Sequence, residues 1–152
     1  MKNKTQLKED KIAAWALFAY TFVLMLFCSA FSPVYGFNEW ADINVYHNIG
    51  KAMMDGQVLY KDIFDHKGPF IFLLYGFGSI LPAFVGAFIV EVSFFFVSLW
   101  FVYKICSLYL QRVYAFFCVL VYSAYPLIYS GSGGSAEELA LPFFFISFYF
   151  VL

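Results

Sequence analysis

The residues of this chain that can do acid–base or ionic chemistry gather mainly in three places. The first holds Glu39 and Asp42, the second is the run Asp62-Ile63-Phe64-Asp65-His66-Lys67-Gly68-Pro69, and the third is the pair Glu137-Glu138. A carboxylate beside an apolar medium can have its proton affinity raised and serve as a general base. A lysine there suits an anion such as a phosphate, because a fixed cation stabilises developing negative charge. Each residue also has a plainer reading. Acids in the first turn of a helix are favoured by its dipole by about 0.3–1 kcal/mol, which accounts for Asp42 and the Glu pair. Lys67 can snorkel toward lipid headgroups. His66 reads first as a hydrogen-bonded loop residue, and His47 as decoration on the polar face of a helix; the two are not at metal-binding spacing. Glu91 lies deep in an apolar run, where an ionisable group must face other helices and bond a neighbour.

The medium around these residues follows from composition. Hydrophobic residues make up 63% of the 152 and charged residues 12%, against roughly 45–50% and about 25% in soluble domains. A soluble domain of this size buries only about two thirds of its surface, so that much apolar area requires lipid. The formal net charge of -1 predicts no polyanionic partner, and without a basic-aromatic patch no nucleic acid is expected. Cys28, Cys106 and Cys118 are odd in number and lack metal spacing, so they read as small apolar residues.

Positioning falls to helices and one large loop, an all-α polytopic fold. The first span is expected over about 12–32, too long for the apolar core of a signal peptide. Lys2, Lys4, Lys8 and Lys11 precede it and place the N-terminus in the cytoplasm of a multi-pass cell-membrane protein. Residues 33–83 then form an extracytoplasmic loop carrying Glu39, Asp42, Asp55, Asp62 and Asp65. Within it Ile43, Tyr46, Ile49 and Met53 recur at helical spacing, predicting an interfacial amphipathic helix over Ala41–Met54 that Asp55-Gly56 ends. Residues 69–83 are short for a crossing. If they stay on the outer face, Lys104 and Arg112 fall in the cytoplasm, as the positive-inside tendency requires. Further spans are expected over about 84–103 and 113–129, with 139–152 incomplete. The chain stops inside a helix and therefore reads as a fragment of a single transmembrane domain.

Asp42-Ile-Asn-Val-Tyr46, Gly50-Lys51, Asp55-Gly-Gln-Val-Leu-Tyr60-Lys-Asp62 and Asp65-His66-Lys67-Gly-Pro69 together resemble the first outer loop of bacterial C-type-fold membrane glycosyltransferases. These are relatives of the protein O-mannosyltransferases and aminoarabinose transferases. The resemblance runs from about Trp40 to Phe143, and Ile43 departs from it, since many relatives carry Asp-Glu at the first site. It implies that Asp42 is the general base toward an acceptor hydroxyl. Lys67, with His66, would meet the phosphate of a polyprenyl-phosphate sugar donor. Glu137 or Glu138 would orient a glycan or lipid-linked acceptor or hold a divalent cation; no other cofactor is implied. The implied activity is sugar transfer on the outer face, which a fragment this short is not expected to perform alone. Two rivals differ in class. A transporter or flippase would carry polar residues along its spans, and a non-catalytic membrane scaffold would use the acids only as helix caps.

Overall fold

The structure is a computed structural model that describes residues 4–35, 41–82, 84–129 and 134–152. Glu39 and most of the Ser130–Ser135 loop lie outside the described residues. The described fold is all-helical: α1 (Lys4–Cys28), α2 (Ala41–Met54), α3 (Pro69–Gly78), α4 (Val85–Tyr109), α5 (Arg112–Tyr129) and α6 (Ala136–Val151). Two segments, Lys8–Cys28 and Val85–Tyr109, are long and apolar enough to cross a membrane.

The long helices alternate in direction. Phe18 meets Phe96 and Phe22 meets Phe88 edge-on, at 5.4 and 6.0 Å between ring centroids, so α1 and α4 run antiparallel. Arg112 pairs with Glu9, and with Asp10 at 3.7 Å; the Lys104 ammonium is 3.8 Å from Asp10. The end of α4 therefore returns to the beginning of α1. α3 is a short element that runs antiparallel to α4, with Gly78 against Gly86 and Tyr75 against Glu91. Gly68 and Pro69 start it, Ser79 caps it, and its 10 residues span about 15 Å, half the hydrocarbon thickness.

Three boundaries depart from the sequence expectation. The first helix stops at Cys28 instead of running to about 32, because serine hydroxyls interrupt it. The Ser32 hydroxyl donates to the Leu26 carbonyl and the Tyr35 hydroxyl to that of Phe27, satisfying carbonyls that a further helical turn would have used. The expected 84–103 span continues to Tyr109, so Lys104 lies in the helix and not in a turn. Its charge is absorbed by Asp10 and by the rings of Trp100 and Tyr149, 5.6 and 5.7 Å away. The last helix begins at Ala136, three residues early, because Ser135 caps it.

α2 follows the periodicity: Ile43 and Tyr46 are buried, and the face packs on α3. The two backbones touch at glycines. A Cβ on Gly50 would lie 2.5 Å from the Gly76 nitrogen, and one on Gly76 would lie 2.8 Å from the Gly50 carbonyl oxygen. Alanine is favoured over glycine in a helix by about 0.8–1 kcal/mol, but backbone cannot rotate out of a clash. Gly50→Ala is therefore expected to lower the thermal unfolding midpoint in detergent micelles, overpacking costing about 1–3 kcal/mol. Gly68→Ala, with nothing within 4 Å of its Cβ, should leave it unchanged.

Candidate functional site

The loop between α2 and α3 is built to present Lys67. α2 ends in a Schellman turn: Gly56, at φ 93°, donates to the Met53 carbonyl and Gln57 to that of Ala52. The Asp62 carboxylate then accepts from the Val58 amide at 2.9 Å, closing a tight turn. Tyr60 occupies the left-handed region at φ 67°, costly for a bulky side chain. Its hydroxyl donates to the Lys67 carbonyl at 2.7 Å, while the Lys67 amide donates to Asp65 at 2.9 Å. Lys67 is thus gripped through its own backbone from both sides, and Tyr60 and Asp62 of the Asp55–Asp62 run have local structural work.

From there the Lys67 ammonium reaches Glu137 in the first turn of α6, at 3.5 Å. Tyr46, one helical turn beyond Asp42, belongs to the same neighbourhood. Burial pushes the Tyr46 phenol up, Lys67 opposes this, and Asp42, Glu137 and Asp65 add to it. Tyr46, followed by Glu137, holds the Lys67 ammonium above the ordinary lysine range, with Asp42 contributing. At neutral pH the site therefore offers a protonated lysine and a neutral phenol between carboxylates. Asp42 itself is exposed in the first turn of α2.

Glu138, adjacent to Glu137, has a different position. Its amide donates to the Ser135 hydroxyl at 3.2 Å and its carboxylate accepts from the Ser135 amide at 3.4 Å, a complete capping box. It also lines a small cavity with Glu91 and Gly134. Glu91 is 2% exposed; the Ser29 hydroxyl donates to one oxygen, and the Tyr75 hydroxyl lies 3.3 Å from the other and 2.8 Å from the Gly134 carbonyl.

The fold thus brings together Asp42, Lys67 and Glu137, and sets Glu138 one residue deeper. His66 turns away: it is 80% exposed, with Nδ1 3.6 Å from Asp65. Tyr46 escaped the sequence reading as a polar group because its spacing marked it as a buried stripe residue. The one signal for it was its position four residues after Asp42. His47 corrects the reading of a polar-face residue: it is only 8% exposed, packed on Phe31 and Phe84. Among the described residues no three His, Cys, Asp or Glu converge as a metal ion requires.

Comparison with protein-family models, with curated proteins and with solved structures finds no match. The capping geometry makes its own prediction. Ser135→Ala should cost about 0.5–2 kcal/mol and speed amide exchange over the first turn of α6. Glu138→Gln should do neither, because an amide side chain also closes the box.

Proposed function

We propose that this chain forms part of a polytopic cell-membrane glycosyltransferase, with a cytoplasmic N-terminus and its site on the outer face. It would move a sugar from a polyprenyl-phosphate donor to a glycan or lipid-linked acceptor. The observation that carries the reading is the convergence of Asp42, Tyr46, Lys67 and Glu137 at the bundle end remote from Lys104 and Arg112. Membrane insertion is supported by the apolar side chains turned outward on every long helix, such as Trp15 at 72%, Phe117 at 64% and Phe150 at 76% exposure.

In the proposed reaction the acceptor hydroxyl gives its proton to Asp42 while its oxygen bonds to the anomeric carbon of the donor. The bond from that carbon to the phosphate oxygen breaks, and the electron pair leaves with the polyprenyl phosphate. Lys67 stabilises that anion where it develops, exchanging its Glu137 partner for the phosphate. Glu137, released, is placed to accept from the acceptor sugar. His66, on the solvent side of the loop, meets only a substrate approaching from outside. The capping box favours a structural role for Glu138.

Two measurements test this. In the complete transferase, Asp42→Asn is expected to abolish transfer from a radiolabelled polyprenyl-phosphate sugar in membranes while leaving membrane insertion intact; retained transfer overturns the assignment. Lys67→Met should lose transfer without moving the unfolding midpoint, since exposed ion pairs contribute little to stability. For topology, a cysteine at Lys61 in a cysteine-free background should react with impermeant maleimide in intact cells, and one at Gln111 should not. The reverse pattern refutes the orientation.

A further inference from the structure

His47 is buried for no purpose that the proposed reaction uses. The imidazole lies 5.0 Å from the Phe84 ring and 6.1 Å from that of Phe31, centroid to centroid. It is 8% exposed, and its Nε2 is buried with no hydrogen-bond partner among the described residues. A buried polar atom left unpaired costs free energy, and a buried unpaired charge costs far more. The site therefore tolerates the neutral ring and penalises imidazolium.

Among the described residues, the groups in contact with the ring carry no charge that would offset a positive one there. On α2 the charged group acting on His47 is Lys51, one turn on, which repels it. From the turn after α1 and the start of α4 come Phe31 and Phe84, both apolar. The titratable groups of α3 and α4 nearby are Tyr75 and Glu91, and these bond to each other, to Ser29 and to Gly134. Burial first, and Lys51 second, hold His47 below its ordinary value near 6.5.

We propose that His47 is a proton-sensitive latch: its neutral ring docks α2 against Phe31 and Phe84, and its protonation releases that helix. α2 carries Asp42 and Tyr46, so release would dismantle the cluster around Lys67. The latch itself is independent of whether the chain transfers a sugar. The sign follows from linkage. The docked state binds the proton more weakly than the free imidazole, so docking is fully stable above about pH 6.5. It weakens as pH falls from there toward the lower docked value.

Hydrogen–deuterium exchange on the full chain in detergent micelles, at about pH 7.5 and about pH 5, tests the latch. After correction for intrinsic rates, amides of residues 41–54 should exchange severalfold faster at the lower pH, because the released histidine binds the proton more tightly than the docked one. Those of residues 85–109 should not change. In His47→Phe, which keeps a ring and removes the proton, α2 should stay protected at both values. Unchanged protection in the parent chain, or an acid response that persists in the variant, overturns the latch. If the variant does not fold, NMR titration of the parent decides. A His47 midpoint below that of histidine in an unfolded peptide supports the latch, and one at or above it overturns it.

Discussion

Glu91 is the group on which the arrangement depends. A carboxylate inside an apolar helix bundle is destabilising unless neighbours bond it, and the bonds available to Glu91 come from different parts of the chain. Ser29 reaches it from the turn after α1, and Tyr75 from α3. Through the Tyr75 hydroxyl the same network holds Gly134, at the threshold of α6. One side chain of α4 thus ties together the turn after α1, α3 and the approach to α6. The apolar contacts around it, Phe31 on Tyr75 and Tyr75 on Tyr46, carry that registration outward to α2.

Magnitudes decide which interactions can hold the cluster at Lys67. The Lys67–Glu137 pair is the visible link between the loop and α6, but the Glu137 side chain is 78% exposed. Solvent screening leaves such a pair little stabilising power. It cannot be what brings the two elements together. The buried aromatic and hydrogen-bonded layer beneath it does so, leaving the ion pair free to exchange partners. That division between a rigid layer and a replaceable surface pair is what a site for an incoming anion requires.

Local pattern made part of this legible. The stripe of Ile43, Tyr46, Ile49 and Met53 gave α2 its limits, since a 3.6-residue period and a glycine stop are both encoded within a few residues. The shortness of α3 followed from length, and the placing of Lys104 and Arg112 at the end of the bundle where α1 begins followed from charge. What local pattern could not contain was any bond between distant segments. Ser29 to Glu91 spans 62 positions and Tyr75 to Gly134 spans 59. Hydropathy also treats Ser29 and Ser32 as tolerable members of an apolar run, so it carried α1 past the point where their hydroxyls turn the chain. His47 follows the same logic: periodicity assigns the polar face of α2 to water, whereas Phe31 and Phe84 cover that part of it.

The same covering explains why α2 is the element whose docking can respond to conditions. α4 is held by contacts with α1, α3, α5 and α6. α2 leans chiefly on α3, through a glycine crossing that leaves no room for adjustment and an aromatic seam that includes the His47 imidazole. Backbone contact at Gly50 and Gly76 is all-or-none, because tightly packed surfaces either mesh or part. A helix held by such a contact does not bend gradually under a local penalty; it stays or leaves as a unit. Since Asp42 and Tyr46 lie on that helix and Lys67 does not, departure separates carboxylate and phenol from ammonium in one step.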